Sequence, residues 1–335
     1  MAPKLSIILP VYNGLPYLAE AINSILHQTL QDFELIIIND GSTDGSGELI
    51  GQINDARVRY YRQSNRGLAA TLNRGIALAR GQYIARQDQD DVSFPLRLEK
   101  QAGFLDAHPD VGMVGMAAEI WVGDVRTDRQ LRHPSDDASI RFGLLFDNYF
   151  VHSSVMIRRS VLEEVGGYSE DLSRQPPEDY ELWSRVMRSY QVANLPEVLM
   201  AYRELPGSMS RSGVNPFLSK LVKISAENIA WAVDCPVNSR EVVALAKLMH
   251  GDYRDMPRGA RLKAMISIMQ AAAQRIVRES HATPEQIMLS LRSQMNRLRY
   301  RYVDYRCGGL IGMVVHSHIG RYVRSLVSQL SGRGH

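Results

Sequence analysis

Three apolar runs, each ending in polar residues, most constrain what this chain can fold into. Leu5-Ser6-Ile7-Ile8-Leu9-Pro10-Val11 passes into Tyr12-Asn13-Gly14. Phe33-Glu34-Leu35-Ile36-Ile37-Ile38 passes into Asn39-Asp40 and the turn formers Gly41-Ser42-Thr43-Asp44-Gly45-Ser46. Tyr83-Ile84-Ala85 passes through Arg86-Gln87 into Asp88-Gln89-Asp90-Asp91. Continuous apolar character marks strands buried on both faces. Between them, residues 15–30 carry Leu18, Ala21, Ile22, Ile25 and Leu26 at helical spacing. Residues 68–80 carry Leu68, Leu72, Ile76 and Ala79 on one face, closed by Gly81. A short strand fits Val58-Arg59-Tyr60-Tyr61. The alternation predicts an α/β fold, a mostly parallel sheet flanked by helices. Its strand ends gather on one edge, where such sheets bind ligands.

The third ending is chemically demanding. Asp88, Asp90 and Asp91 put three carboxylates within four residues. A divalent cation shared with phosphate oxygens suits them, because hard oxygen ligands match Mg²⁺ or Mn²⁺. An acidic helix N-terminus is the other reading, and Val92-Ser93-Phe94-Pro95 permits it. The cluster alone does not choose between the two.

At 335 residues the chain is long for one domain, so a large domain with a smaller one is expected. No stretch reaches the roughly 18–20 apolar residues of a membrane span. Met1-Ala2-Pro3-Lys4 leads straight into a strand with no signal-peptide core, so a cytoplasmic location is expected. Cys235 and Cys307, far apart in sequence, are expected to be free, buried thiols. Charge is uneven. Residues 1–219 carry 21 Lys/Arg against 28 Asp/Glu, a net of −7, and residues 220–335 carry 18 against 8, a net of +10. The two parts are expected to do different jobs.

No Gly-x-Gly-x-x-Gly follows the first strand, and there is no Gly-Lys-Ser/Thr phosphate loop, which argues against both of those nucleotide-binding modes. Four ordered stretches instead carry a resemblance: Ser6–Asn13, Ile37–Ser46, Asn65–Ile76 and Tyr83–Asp91. Together they resemble the successive signatures of the family 2 glycosyltransferases, which have the GT-A fold. The similarity continues more loosely to about residue 212. The resemblance implies a GT-A domain over residues 1–215, followed by a basic, mainly helical region over residues 216–335.

By position, the resemblance implies that Pro10, Tyr12 and Asn13 meet the base and ribose of a nucleotide-sugar, with Asp40 accepting from the uracil imide or a ribose hydroxyl. A turn role for Asp40 toward Gly41-Ser42 is the plainer alternative. Asn65 and Arg66 stand where the family approaches the nucleotide. Asp88-Gln89-Asp90 occupies the Asp-x-Asp motif. Asp88 is then expected at the ribose, Asp90 on a divalent metal, Mn²⁺ or Mg²⁺, and Asp91 ligating or orienting. Arg86 either approaches the diphosphate or pairs with a carboxylate of the cluster.

Gln175-Pro176-Pro177-Glu178-Asp179-Tyr180-Glu181-Leu182-Trp183 feeds an amphipathic helix with Leu182, Val186 and Met187 inward. It resembles the family's Glu-Asp-x-x-Leu-Trp signature. The carry-over makes Asp179 the catalytic base and Glu178 its neighbour in positioning. Inverting transfer needs one base to deprotonate the acceptor hydroxyl. His152, in the expected strand His152–Arg158, and Trp183 are candidates for the acceptor region. Core packing is the plainer reading of Trp121 and Trp183. One departure stands out: Leu205 follows Tyr202-Arg203-Glu204 where the family often has a metal-binding His. Glu204 or water then has to complete the shell.

Helix-forming periodicity covers 217–233, 240–250, 258–280 and 284–302. Arg292, Arg297, Arg299, Arg301 and Arg306 interleave with Leu298, Tyr300, Tyr302 and Tyr305, and the apolar Leu310–Val315 and Ile319–Leu330 follow. Such a stretch suits an anionic membrane surface or a solvated helical face; nucleic acid is disfavoured because no recognised module accompanies the charge. The helical region can also cap the acceptor side or pair subunits into an oligomer. The expected activity is inverting transfer from a nucleoside-diphosphate sugar, a UDP-sugar by preference. The acceptor is a saccharide, lipid-linked or free, in cell-surface polysaccharide assembly. The rivals are a non-catalytic sugar-nucleotide-binding member and a sugar nucleotidyltransferase, whose Gly-rich basic loop is missing between Pro10 and Pro16.

Overall fold

The structure, a computed structural model, describes residues 2–205, 216–280 and 282–308. Pro206–Ser212, Leu310–Val315 and Ile319–Leu330 therefore lie outside the described residues. Strands β1 (Leu5–Val11), β2 (Phe33–Asn39), β3 (Val58–Arg62) and β4 (Tyr83–Arg86) form the parallel half of the sheet, in the order β3-β2-β1-β4. The order continues through β8 (Met156–Arg158), β6 (Val111–Val122), β9 (Gln191–Glu204) and β5 (Val92–Ser93), with β7 (Val125–Leu131) paired to β6. β8 runs antiparallel to both β4 and β6. β6 and β9 are parallel to each other over most of their length.

Alternation along the strands divides the core in two. Leu5, Ile7, Leu9, Leu35 and Ile37 face α1 (Leu18–Leu26) and α4 (Arg97–Ala107). Ile8, Ile36, Ile38 and Ile84 face α3 (Leu68–Leu78) on the other side. α3 lies close on β1 because Gly75 leaves room: a Cβ there would stand 2.4 Å from Ile8 Cγ2. The short α2 (Ser46–Gly51), α5 (Asp137–Gly143) and α6 (Arg159–Val165) fill the edges, and α7 (Glu178–Ser189) enters from the proline-bounded segment.

The expected C-terminal helices form as α8 (Leu218–Val233), α9 (Arg240–His250), α10 (Leu262–Ser280) and α11 (Pro284–Arg306). They are not loosely appended. Ile224, Ile229, Leu245, Met269, Ile276, Ile287 and Leu298 share one apolar core with Ile140, Phe142, Phe146, Leu182 and Trp183. No described helix is long and apolar enough to cross a membrane. Both cysteines are free, but the expectation of buried thiols is corrected: Cys235 is half-buried and Cys307 exposed.

One local expectation also changes. His152–Ser154 is a turn of 3₁₀ helix and only Met156–Arg158 is strand. The curl has a cause: it aims the Ser153 hydroxyl at Asp91 Oδ2 and the Ser153 carbonyl at Arg97.

Candidate active site

The carboxyl edge of β1, β2 and β4 carries the predicted donor residues. Tyr12 is exposed, and its main chain is clasped by Gln89, whose Oε1 accepts the Tyr12 amide at 2.8 Å while Nε2 donates to the Tyr12 carbonyl at 3.1 Å. Asn13 has φ +51°, a left-handed conformation that Asn tolerates. Its Oδ1 accepts the Thr43 amide at 2.9 Å and its own amide donates to Ser42 Oγ at 3.0 Å. Pro10 is buried within β1. The first two strand-end loops and the acid motif are thus bonded into one rim.

Asp40 is held by the loop that follows β3. It is buried, its Oδ1 accepts from Gln63 Nε2 and the Arg66 amide, and its Oδ2 accepts the Gly67 amide. These bonds, of 2.7–2.9 Å, brace the loop holding Asn65 and Arg66, and Oδ2, with one donor, keeps a second acceptor position. The close approach needs glycine at 41, where φ is +83° and a Cβ would stand 2.9 Å from the Asn65 amide nitrogen. Asn65 and Arg66 themselves are exposed on the rim.

In the acid motif the three carboxylates have separate fates. Asp88 forms an ion pair with the buried Arg86, so of the two readings of that arginine the pairing is the one present. Asp90 is half-buried; burial and the charge of Asp88 push its carboxyl up to about 6, and among the described residues no other residue donates to it. Asp91 is fully buried, accepting the Ser153 hydroxyl and, at 2.9 Å, the Arg203 amide. Burial and both neighbouring acids hold it well above the usual carboxylate range. Asp91 is therefore an internal anchor: of the two roles expected of it, ligating or orienting, its burial and its bonds to Ser153 and Arg203 fit the orienting one and not metal ligation.

No group of three or more His, Cys, Asp or Glu side chains is set to hold a metal ion among the described residues. Glu204 does not take the place of the missing His, because Arg129 grips both its oxygens at 2.6 and 3.2 Å. Asp90 still fits a cation that draws its remaining ligands from substrate and water. It is an unpartnered carboxylate whose charge is opposed by its surroundings, and a divalent ion relieves that opposition.

Two buried arginines support the motif: no sequence signal marked Arg97, and Arg203 stood in the Tyr202-Arg203-Glu204 stretch that was read only for its missing His. Arg97, from α4, is completely buried and makes five donations: to Gln101 Oε1, Gln87 Oε1, Ser93 Oγ, and the carbonyls of Arg86 and Ser153. Burial lowers its pKa to about 9, with Asp91 opposing the shift. Arg203, from β9, donates through Nε to the Asp90 carbonyl at 2.8 Å and pairs with Glu20 and Asp124. Its guanidinium lies 4.1 Å from the Tyr17 ring centre and 5.2 Å from that of Trp121. Trp121 thus packs on an arginine, in keeping with a packing role.

Across the cleft, Glu178 and Asp179 open α7, where the helix dipole favours acids. Glu178 is buried; desolvation and the adjacent Asp179 push its carboxyl up to about 7. Asp179 is half-buried and also raised by burial, against the amide of Tyr180 at 2.7 Å and Asn148 Nδ2 at 2.7 Å. His152 stands beside them, Nδ1 3.9 Å from Glu178 Oε1 and Nε2 3.0 Å from the Tyr168 hydroxyl. Burial and then Arg86 hold it well below its ordinary pKa, so it is neutral near pH 7. Trp183 is fully buried, edge-on to His152, Tyr168 and Phe150. It supports the site from within and does not face an acceptor, a correction to its candidacy.

Arg86 joins the halves. Its charge acts on Asp88, Asp90 and Asp91 on one side and on Glu178, Asp179, His152 and Tyr168 on the other. The structure thus brings the Asp88–Asp91 motif and the Glu178-Asp179 pair around one buried guanidinium.

The sequence model described as Glycosyl transferase family 2 matches residues 6–166, and that of Glycosyltransferase like family 2 matches residues 136–233. An uncharacterized glycosyltransferase of Haemophilus influenzae is 30% identical over 267 residues, spanning 75% of this chain and 81% of that protein. The O-antigen biosynthesis glycosyltransferase WbnJ of Escherichia coli is 34% identical over 207 residues, 59% of this chain and 79% of its own. Among solved structures, S. aureus TarS 1-349 in complex with UDP-GlcNAc aligns with a TM-score of 0.59 at 19% identity, covering 91% of this chain and 92% of that one. The mannosyltransferase PcManGT from Pyrobaculum calidifontis, in complex with GDP-Man and Mn²⁺, aligns at 0.51 and 18% identity, covering 91% and 87%. The described fold is accordingly that of the GT-A glycosyltransferases. With these matches and this edge-of-sheet constellation together, the chain belongs to glycosyl transferase family 2.

Proposed function

We propose that this glycosyltransferase moves a sugar from a nucleoside-diphosphate sugar, of the UDP type, to a saccharide hydroxyl with inversion at the anomeric carbon. The observation that carries the reading is the pairing of two acid groups around Arg86, one at the end of β4 and one at the start of α7. Tyr12, Asn13, Asn65 and Arg66 line the rim where the base and ribose lie, and Asp88 takes a ribose hydroxyl. Asp90 holds a divalent cation, Mn²⁺ or Mg²⁺, which supplies charge neutralisation for the departing diphosphate. Asp179 accepts the proton of the acceptor hydroxyl as that oxygen attacks, and the glycosidic C–O bond to the diphosphate breaks on the opposite face. Glu178, pushed up to about 7, is only partly ionised near pH 7 and so adds less than a full second charge beside the base. No covalent sugar–enzyme intermediate is needed.

The acceptor we propose belongs to cell-surface polysaccharide assembly and is carried on a lipid at the inner face of the membrane; the O-antigen biosynthesis for which the E. coli relative is named supports the first part of that reading. Incubation with UDP-, GDP- and dTDP-sugars plus Mn²⁺, reading released nucleotide, tests the donor. The proposal is abandoned if no sugar nucleotide is turned over or if Asp179→Asn works at the wild-type rate.

A further inference from the structure

The segment between α5 and the His152 turn carries a residue that no motif marks. Asn148 Nδ2 donates to Asp179 Oδ2 at 2.7 Å. The other end of its amide settles the orientation: Asn148 Oδ1 accepts the Phe150 amide at 3.1 Å, so a donor faces the carboxylate. The segment is itself held from several directions. Tyr180 Oη and Asn228 Nδ2, from α7 and α8, each donate to the Leu144 carbonyl at 2.9 Å, and Ser225 Oγ donates to the Leu145 carbonyl at 2.7 Å. From α11, the buried Gln294 donates to the Tyr149 hydroxyl at 2.8 Å, and Arg297 lies 3.5 Å from Asp147. The Tyr149 ring packs where only glycine fits, since a Cβ on Gly143 would stand 2.4 Å from it.

We propose that Asn148 is the positioning residue of the base, fixing the Asp179 carboxylate in its working orientation, and that α8 and α11 frame its segment so that the C-terminal helices complete the site. This rests on the reading of Asp179 as base. A neutral donor suits that place: it favours the charged carboxylate without adding a competing charge. The other ionisable groups facing Asp179 are Glu178 beside it, Arg86 from β4 and Tyr168 from the segment before α7, with His152 next to Glu178. Asp147 precedes Asn148 and is faced by Arg297. Of these, only Arg86 also favours ionised Asp179, so the Asn148 bond is one of few supports for its charge.

The test reads Asp179 directly. Carboxyl-labelled aspartate is incorporated into the full chain, and the Asp179 signal is assigned by its loss in Asp179→Asn. Its titration is then followed in Asn148→Ala and in the isosteric Asn148→Asp. Loss of a donor disfavours the ionised form, so the midpoint moves to higher pH in both variants and further in Asn148→Asp. The acid limb of nucleotide release from the active sugar nucleotide moves the same way. The plateau rate falls about 10- to 100-fold, the range for a hydrogen bond to a charged group. UDP binding stays as in the wild type. Tyr149→Phe, which severs the bond to Gln294, gives a smaller move in the same direction. An unchanged titration in both Asn148 variants overturns the positioning role, and an unchanged titration in Tyr149→Phe overturns the framing by α11. A moved titration with full turnover in Asp179→Asn overturns the base assignment instead.

Discussion

Asp91 Oδ1 accepts the main-chain amide of Arg203 at 2.9 Å, across 112 residues of sequence. In return the Arg203 side chain donates to the carbonyl of Asp90 at 2.8 Å. The last acid of the motif is thus tied to the last strand, and the acid before it is left free at the cleft.

Two neighbouring acids should then fail in opposite ways. Asp91→Ala strands the Ser153 hydroxyl and the Arg203 amide in the core and removes the acid that most favours the charge of buried Arg97. The expected cost is about 3–5 kcal/mol, read as a Tm lower by about 5–10 °C. Asp90→Asn removes a carboxylate that its surroundings already oppose. Its Tm should be equal or higher, while Mn²⁺-dependent UDP binding is lost. Equal Tm losses in the two variants would remove the distinction drawn between anchor and ligand.

The same residue sets a pH dependence. Asp90 is raised from 3.8 to about 6, so folding favours its protonated form. That contribution is complete below 3.8 and is lost as pH rises through about 6. Without divalent cation, the wild type should therefore lose stability relative to Asp90→Asn across that window. Mn²⁺ should restore more of it as pH rises, because the cation needs the ionised carboxylate. Differential scanning calorimetry of the two proteins at several pH values checks this; a difference in Tm that is flat with pH refutes it.

Gln89 links the donor rim. Replacing it with leucine removes both bonds to the Tyr12 main chain and lets the β1 and β4 loops part. UDP affinity should fall about tenfold, the scale of one or two net hydrogen bonds, while the titration of Asp179 is unchanged. Calorimetric binding of UDP is the measurement, and wild-type affinity in Gln89→Leu counts against the clasp.

What the sequence made legible follows from where chemistry is local. The buried strands showed as apolar runs, and the acids at Asp88–Asp91 and Glu178-Asp179 stood next to the elements that hold them. Arg97 and Arg203 were opaque for the opposite reason. Their partners lie up to 56 and 183 residues away, so what each arginine does leaves no local trace, even though Arg203 stands in a stretch the sequence singled out for Leu205. Asn148 was invisible in the same way, because its meaning depends on Asp179, 31 residues on. The bracing role of Asp40 was hidden because a strand-end acid that meets a ligand and one that holds a loop have the same local sequence. Its donors from Gln63, Arg66 and Gly67 lie 23 to 27 residues on.

The outward stripe of α11 gives the last prediction. Leu298 is buried, Tyr302 and Tyr305 pack inward, and Arg297 donates to the Met249 carbonyl, so part of the basic-aromatic pattern serves the fold. What remains outside is Met288, Leu289, Arg292, Arg299, Tyr300, Val303 and Arg306, with Asp304 turned into the interior. Exposed apolar side chains between cations suit an anionic lipid surface, where each arginine contributes about 1 kcal/mol. The full chain should co-sediment with phosphatidylserine vesicles at low salt and release as salt rises. Replacing Arg292, Arg299 and Arg306 together by glutamate should weaken that binding at least about 100-fold while leaving turnover of the sugar nucleotide intact, since none of the three touches the cleft. Equal sedimentation of this variant and the wild type would leave the stripe as ordinary solvated surface.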